Sequence, residues 1–388
     1  MARKMRMGMV GGGRGAFIGT VHRMAAAIDN EIELVCGAFS SNPEKSKASG
    51  ADWYLPEDRS YGSYQEMFET EALLPEGERM DFVTIVTPNH MHHPVQKAAL
   101  EAGFHVVSDK PMSFSLEEAQ EMRDIVDEKN LLFALTHNYT GYPLVKHARD
   151  LVQSGGIGKV RKVVVEYPQG WLATNLEASD QKQAAWRTDP KRAGSSCCVG
   201  DIGTHAENLA EYITGLKIEE VCAEFTTFVE GRLLEDDANC LLRLSDGARG
   251  ILLASQISID EENGLNIRIY GETGGLIWKQ EEPNTLIRTY IDRPREIIRA
   301  GGNYAGRLSD AALNACRTPA GHPEGYLEAF GNIYKNFARA LRATLAGETP
   351  SELDLDFPTV HDGVRGMAFL QATVDSAKAG AVWTKVQS

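Results

Sequence analysis

The chain has 388 residues, with 54 Asp and Glu against 40 Lys and Arg, which gives a formal net charge of −14. A content of 43% hydrophobic and 24% charged residues excludes wholesale disorder, and the acidic balance disfavours nucleic-acid partners, whose phosphates need Lys and Arg. No apolar run reaches the about 20 residues of a membrane span or the about 7–15 of a secretory signal, so we expect a soluble cytoplasmic protein without a membrane partner.

The first third of the chain alternates strand-like and helix-like segments. Strands are predicted at 7–10, 32–39, 82–87, 105–108 and 131–136. Helices are predicted at 18–28, after Pro43, at 94–102 and at 116–129, the last capped by Ser115 with Glu118 three residues on. This alternation is typical of a doubly wound parallel sheet. We therefore predict a Rossmann dinucleotide-binding domain over residues 1–138.

The pattern changes after residue 138. Strands are predicted at 160–167, 221–229, 238–244, 250–258, 265–271 and 275–279, and helices at 141–155, 206–214, 323–345 and 358–380. Consecutive strands indicate a large, mostly antiparallel open sheet. We predict an α+β substrate-binding and oligomerisation domain over 139–388, with the helix at 358–380 able to pack back on the first domain. The uncovered sheet face would form a homodimer or homotetramer.

A glycine-rich loop follows the first strand and opens a helix. Gly11 would allow the tight turn and Gly13 the close approach of a pyrophosphate to the backbone. The spacing fits G-x-G-x-x-A with Ala16, or alternatively makes Gly19 the packing glycine after a three-residue insertion. The predicted cofactor-binding residues of this loop are Gly11, Gly13, Arg14, Gly15, Ala16, Phe17 and Ile18. A glycine turn without a ligand is the alternative.

The end of the second strand bears on the choice of cofactor. An acid there would hold the adenosine ribose 2′-hydroxyl, but none occurs before Glu44. Ser40, Ser41 and Lys45 would tolerate a 2′-phosphate. The local chemistry therefore permits NADP and does not exclude NAD.

Further motifs follow in order along the chain. They are Gly19-x-x-His22, Thr87-Pro88-Asn89-His90-x-His92, Asp109-Lys110-Pro111, Trp186-Arg187-x-Asp189-Pro190, Gly200-Asp201-Ile202-Gly203-Thr204-His205 and Asp362-Gly363-x-Arg365. Together they resemble the glucose–fructose oxidoreductase and inositol dehydrogenase family (Gfo/Idh/MocA) over nearly the whole chain. Asp109 stands where the family usually has Glu, and the inserted glycine loop resembles a subgroup that acts on sugars and glycosides. The resemblance slightly favours NAD.

Oxidation of a secondary alcohol by a nicotinamide needs a base and a group that steadies the developing alkoxide. We assign His205 as proton acceptor, Lys110 as orienting and charge-stabilising donor, and Asp201 as substrate ligand. Lys110 would itself be the base if burial lowers its pKa. Asp201 and His205 share one face if residues 202–205 form a helical turn.

Other uses of these residues remain open. Asp201 could be a helix N-cap. Asp201 with His205, or His90, His92 and His93, could bind a metal, but no fitting third ligand follows and we expect none. The predicted cofactor contacts are Thr87, Asn89, His92, Asp109 and Lys110, together with Trp186 and Arg187, which the resemblance places beside the nicotinamide or substrate. Trp186 and Arg187 could equally be core and salt bridge.

Aromatic faces with scattered polar groups suit a sugar ring. The predicted substrate-binding residues are Lys110, Tyr139, Trp171, Arg187, Asp201, His205 and His322, and Tyr142 is a further pocket candidate. The expected activity is NAD(P)-dependent hydride transfer at a ring hydroxyl or ketone of a sugar, a glycoside (at C3) or inositol. One alternative is a glycoside hydrolase that oxidises its substrate transiently with tightly bound NAD, and another is a non-catalytic cofactor sensor.

Overall fold

A computed structural model describes residues 3–179, 181–303 and 306–387. The helices are α1 Phe17–Ala27, α2 Pro43–Asp52, α3 Tyr64–Leu73, α4 His92–Glu101, α5 Leu116–Lys129, α6 Pro143–Gln153, α7 Lys182–Arg187, α8 Pro190–Ala193, α9 Thr204–Thr214, α10 Asp310–Ala315, α11 Tyr326–Leu345 and α12 Val360–Lys378. The strands are β1 Met5–Gly11, β2 Ile32–Ala38, β3 Phe82–Val86, β4 His105–Ser108, β5 Phe133–Leu135, β6 Val160–Pro168, β7 Ile218–Thr226, β8 Asp237–Leu244, β9 Arg249–Ser255, β10 Asn266–Gly271, β11 Gly274–Lys279, β12 Thr285–Tyr290, β13 Glu296–Arg299 and β14 Thr384–Lys385.

The chain divides into two compact units. Unit 1 contains the residues up to Asn138 together with Tyr326–Val364, and unit 2 contains Tyr139–Gly325 together with the residues from Arg365 onward. None of the helices in the described ranges is both long enough and apolar enough to cross a membrane.

Unit 1 is built on a five-stranded sheet in the order β2-β1-β3-β4-β5. All four strand pairs are parallel, and β3 is buried along its whole length, as expected for a sheet covered on both faces. The predicted doubly wound sheet is therefore confirmed. The strand order turns back between β1 and β3, so their carboxyl ends form the crevice where such sheets bind ligands.

The helix α11 belongs to unit 1, although the sequence analysis placed residues 139–388 in a single domain. Phe330, Ile333 and Phe337 recur at helical spacing and are buried in one core cluster with residues of α1 and β1. Glu31 pairs with Arg339 and Arg342 on the same helix. The apolar stripe of α11 therefore completes the core of unit 1. The boundary between the two units falls within α12, because Val364 belongs to unit 1 and Arg365 belongs to unit 2.

Unit 2 contains a nine-stranded sheet in the order β13-β12-β11-β10-β6-β9-β8-β7-β14. The pairs are antiparallel except for β6 with β9, which confirms the mostly antiparallel sheet. The sequence analysis predicted six of these nine strands and missed β12, β13 and β14. These strands are short or half exposed, so they lack the apolar alternation on which the prediction depended.

Candidate active site

The glycine loop after β1 combines positive φ angles with a close approach of two backbone segments. Gly11, Gly12 and Gly15 have positive φ angles, which only glycine adopts at little cost. A Cβ atom at Gly19 would lie 2.4 Å from the Cα atom of Gly12. Gly19 is therefore the glycine that packs the start of α1 against the loop. This favours the motif with three inserted residues, which ends at Gly19, over the G-x-G-x-x-A motif, which ends at Ala16.

Several backbone amides of the loop bind other parts of unit 1. The amide of Gly13 donates to the carbonyl of Phe39 and that of Arg14 to the hydroxyl of Ser49. The Arg14 side chain pairs with Asp52. Ala16 stands at the N-cap of α1 and offers no capping side chain, so the first amides of α1, from Phe17 and Ile18, remain available to an anion.

The end of β2 carries no carboxylate. Ser40 accepts a hydrogen bond from the amide of Asn42, and Asn42 caps α2 through the amide of Lys45. Ser41 and Lys45 are exposed. The structure therefore keeps hydroxyl and ammonium groups at the position where an acid would hold a ribose.

His92 links the two segments that follow β3 and β4. Its Nδ1 atom lies 2.6 Å from the carbonyl oxygen of Pro111, and its Nε2 atom lies 2.8 Å from that of Thr87. The ring is buried, and burial lowers its pKa. Both nitrogens are thus engaged within unit 1, so the predicted contact of His92 with a cofactor edge lacks a polar atom to make it.

Lys110 follows β4 at the carboxyl edge of the sheet. Asp109 accepts hydrogen bonds from the amide of Lys110 at 2.9 Å and from the hydroxyl of Thr136 at 3.2 Å. His137, after β5, is buried, and burial together with the nearby Lys110 charge lowers its pKa to about 3. Burial and the positive charge of Lys110 therefore keep the His137 imidazole neutral.

A buried polar group lies beneath this edge. The Nδ1 atom of His22 lies 2.7 Å from the hydroxyl of Tyr334, which also lies 3.2 Å from that of Thr84. Burial lowers the pKa of His22 to about 4, opposed by the charge of Asp109. The histidine of the Gly19-x-x-His22 motif is therefore a neutral core residue.

Asp201 is held by two donors within unit 2. Its Oδ2 atom accepts from Arg187 Nε at 3.0 Å and from Gln256 Nε2 at 2.9 Å. It lies inside a single π-helical turn, Val199–Gly203, that runs into α9. Its side chain therefore does not act as an N-cap, and its orientation is fixed from outside the helix.

His205 lies one turn further on, at the start of α9, and is only 6% exposed. Its ring packs edge-on against Tyr139 at 4.7 Å between centroids, with Tyr167 at 6.3 Å. Tyr167 stands on β6 and Gln256 follows β9, and these strands are neighbours. Asp201 and His205 therefore both face the carboxyl ends of β6 and β9, as the predicted helical turn requires.

A polar network continues from Tyr139. Its hydroxyl is hydrogen bonded to that of Tyr167, which donates to Asn263 Oδ1 at 2.8 Å. Gln169 Nε2 donates to the same oxygen, and Trp171 Nε1 donates to Gln169 Oε1 at 3.1 Å. Tyr139 and Trp171 thus belong to one hydrogen-bonded wall beside His205.

Arg187 makes both a cation–π contact with Trp186 and an ion pair. The Arg187 guanidinium lies 4.2 Å from the centroid of Trp186 and 5.8 Å from that of Trp171. Arg187 also forms an ion pair with Asp201, the predicted substrate ligand.

His322 stands apart from this group. It is exposed, and its backbone bonds to Pro319 and Thr318 within its own turn. The hydrogen bonds of the described residues do not bring it together with Asp201 or His205.

Gln256, Asn263 and Tyr167 belong to the site but were not predicted. Gln256 could have been found, because it is the first residue after a strand and polar residues there often serve ligands. Asn263 and Tyr167 carry no such signal. Within the described ranges, no three His, Cys, Asp or Glu side chains are grouped to hold a metal.

Unit 1 offers features that fit a dinucleotide. The Thr87 hydroxyl and the Asn138 side-chain amide are buried and have no hydrogen-bond partner among the described residues. Both follow strands of the parallel sheet, after β3 and β5. Buried polar groups rarely stay unpaired, so these atoms, with the uncapped start of α1, are suited to a polar ligand at this edge.

Comparison with known proteins gives the family. Residues 5–139 match the model of the oxidoreductase family with an NAD-binding Rossmann fold, and residues 145–277 match that of the GFO/IDH/MocA C-terminal domain. The chain is similar to the uncharacterized oxidoreductase YfiI of Bacillus subtilis (strain 168), with 33% identity over 99% of this chain and 98% of that protein.

Two relatives have more specific descriptions. An inositol dehydrogenase homolog from Azotobacter vinelandii is 35% identical over 99% of this chain and 98% of that one. Its structures with NAD+ and with NADH and myo-inositol give TM-scores of 0.94 and 0.91. Levoglucosan dehydrogenase of Pseudarthrobacter phenanthrenivorans is 25% identical over 73% of this chain and 76% of that protein. The chain therefore belongs to the Gfo/Idh/MocA family of NAD-binding oxidoreductases.

Proposed function

We propose that the protein is an NAD-dependent dehydrogenase that acts on a ring hydroxyl of inositol or of a sugar, including C3 of a glycoside. The observation that carries the proposal is the Asp201 carboxylate, fixed by Arg187 and Gln256 on the same helix face as His205. The relative from A. vinelandii, described with NADH and myo-inositol, supports the substrate class, and levoglucosan dehydrogenase extends it to sugars.

Each side chain has a role that follows from its chemistry. When bound, the nicotinamide supplies the hydride acceptor. The His205 imidazole takes the hydroxyl proton, since histidine changes charge near neutral pH. The Lys110 ammonium donates to the substrate oxygen as negative charge develops there. The Asp201 carboxylate accepts a hydrogen bond from a substrate hydroxyl and fixes the ring.

The wall of Tyr139, Tyr167 and Trp171 would contact the substrate ring. Aromatic faces pack against the apolar C–H faces of a sugar, and the hydroxyl and amide groups between them bind its edges. Asn263 already accepts two hydrogen bonds and donates to Tyr139 at 3.3 Å. This network holds the rings in place, so that the substrate meets a preformed surface.

The glycine loop and the carboxyl edge of unit 1 would hold the dinucleotide. The amides of Phe17 and Ile18 suit the pyrophosphate, and the Thr87 hydroxyl and Asn138 amide suit the polar groups nearer the nicotinamide. We propose NAD as the cofactor, in line with the A. vinelandii relative. Ser40 and Lys45 leave room for NADP.

The test is a panel of inositols, aldoses, methyl glycosides and levoglucosan with NAD and with NADP, followed by the absorbance of reduced nicotinamide. We expect that absorbance to rise with at least one polyol. Release of a glycoside product without a net absorbance change would instead identify a hydrolase. Tight cofactor binding without turnover across the panel would identify a sensor.

A further inference from the structure

Glu235 is a buried carboxylate on the connection into β8. Glu235 is only 5% exposed, and burial raises the pKa of its carboxyl group. A buried carboxylate is costly unless hydrogen-bond donors surround it. The donors around Glu235 all come from one short segment, residues 196–199.

Three donors of that segment converge on one oxygen. The Ser196 hydroxyl donates to Glu235 Oε1. The backbone amides of Cys197 and Val199 lie 3.0 Å and 3.1 Å from the same atom. Amides at the start of a helix lack acceptors within the helix, and a negative charge there is favourable. Glu235 therefore caps this helix start from a segment that is distant in the sequence.

The capped segment leads directly into Asp201. The amide of Gly200 donates to Ser196 Oγ at 2.9 Å, and that of Asp201 donates to the carbonyl of Cys197 at 2.9 Å. The residues directly before the π turn and before α9, Cys198 and Gly203, offer no capping side chain. The start of the π turn is therefore held by Ser196 from within the segment and by Glu235 from outside, and Glu235 also accepts from the Ser196 hydroxyl.

A second link reaches the side chain of Asp201. The Cys197 thiol lies 3.5 Å from Gln256 Oε1, and the amide nitrogen of the same Gln256 donates to Asp201 Oδ2. Displacement of Cys197 would therefore disturb both the backbone and the carboxylate of Asp201.

We propose that Glu235 is a positioning residue for the reaction, whose charge holds the π turn and thereby aims Asp201 and His205. A π turn is less stable than an α turn and persists at functional sites because it redirects side chains. Without the carboxylate the unpaired amides would favour a different register of the turn. The inference rests on the roles proposed above for Asp201 and His205.

The test compares Glu235→Gln, Glu235→Met and Glu211→Gln. Gln keeps an acceptor oxygen without the charge, and Met keeps the approximate size without an acceptor. Glu211 is a matched control because it is buried on α9 and pairs with Arg365, but it lies beyond His205. The readouts are kcat, KM for NAD and amide hydrogen exchange of residues 196–203.

For Glu235→Met we expect kcat to fall about 100-fold, KM for NAD to stay within about twofold, and exchange at 197–201 to accelerate. Glu235→Gln should lose about tenfold in kcat, and Glu211→Gln less than about threefold. Equal losses in kcat for Glu211→Gln and Glu235→Gln, or unchanged exchange at 197–201, would overturn the proposal. Exchange needs no substrate, so it tests the capping role even if the proposed activity fails. If Glu235→Met does not fold, Glu235→Gln decides.

Discussion

Asp201 combines a structural role with the chemical role that we propose for it. It receives hydrogen bonds from Arg187 and Gln256, so its charge is partly neutralised before any substrate binds. Charge-assisted hydrogen bonds of this kind set direction as well as energy. In the proposed mechanism the same carboxylate also accepts a hydrogen bond from a substrate hydroxyl.

The assignment of His205 as base and Lys110 as donor is tested by replacing each with alanine. Each variant should lose about 10²–10⁴-fold in kcat, the usual contribution of a positioned proton-transfer group. His205→Ala should also lose the acidic limb of the pH–rate profile, and Lys110→Ala should keep it. Loss of the acidic limb in Lys110→Ala but not in His205→Ala would make Lys110 the base. Wild-type turnover by both folded variants would show the assignment to be wrong.

Cofactor preference is tested at Ser40. A carboxylate after β2 would bind the ribose hydroxyls of NAD and repel the 2′-phosphate of NADP. We expect Ser40→Asp to raise the ratio of kcat/KM for NAD over NADP about tenfold or more. An unchanged ratio in Ser40→Asp would show that Ser40 does not face the ribose.

Most helices and strands of unit 1 follow the sequence patterns, although α3 (Tyr64–Leu73) was not predicted. The strand predicted at 105–108 matches β4, and Ser115 caps α5 through the amide of Glu118, as its spacing indicates. Buried apolar runs and capping residues act locally, so sequence alone reveals them. β12 and β13 were missed because strands with exposed polar faces are set by their neighbours in the sheet.

The candidate site shows the same difference between local and distant contacts. Lys110, Asp201 and His205 were proposed from the sequence because they lie in ordered motifs, whereas Gln256 and Glu235 were not. These two act through hydrogen bonds to residues 55 and 39 positions away. No local pattern in the chain encodes contacts of that range.

The Gly12–Gly19 contact tests the packing of α1 on the loop. In Gly19→Ala the added methyl would lie 2.4 Å from the Cα atom of Gly12, and overpacking of this kind costs about 1–3 kcal/mol. We expect urea unfolding to report this loss, together with weaker NAD binding. Gly77→Ala is the control because its Cβ would meet nothing within 4 Å. Equal stability and equal affinity in the two variants would refute the packing role.

For the whole molecule, the uncovered face of the nine-stranded sheet is the place where we propose that copies of the chain pair. Leu241 and Ile251 stand opposite each other on β8 and β9 and are 51% and 36% exposed. A charge there should oppose apolar contact. Leu241→Lys should shift sedimentation toward a smaller species, whereas Leu73→Lys in unit 1 should not. An unchanged oligomer in Leu241→Lys would place the interface elsewhere.

Stability should depend on pH through the buried histidines of unit 1, among which His22, His105 and His137 have the largest reductions in pKa and His92 has a further one. Burial lowers the pKa of His22 and His105 to about 4, and burial with the Lys110 charge lowers that of His137 to about 3. Each stays neutral when folded and gains a proton when unfolded below its ordinary pKa of 6.5. Their stabilising effect is therefore complete above pH 6.5 and is lost as the pH falls toward 4.

When these three histidines each take up a proton on unfolding, the free energy of unfolding changes by about 4 kcal/mol per pH unit within that window. Urea unfolding between pH 7.5 and 4.5 measures this slope. His105→Gln keeps an acceptor for the amide of Leu132, which His105 binds at 2.8 Å, and should reduce the slope by one proton, about 1.4 kcal/mol per pH unit. A slope that does not change in this variant would contradict the neutral state of His105.

The proposed hydride transfer from a ring carbon is tested most directly with a substrate from the panel deuterated at its ring carbons. After incubation with the enzyme and NAD, mass spectrometry of the isolated NADH should show one deuterium that comes from a single ring position. NADH without deuterium, or consumption of the substrate without any reduced cofactor, would contradict the dehydrogenase.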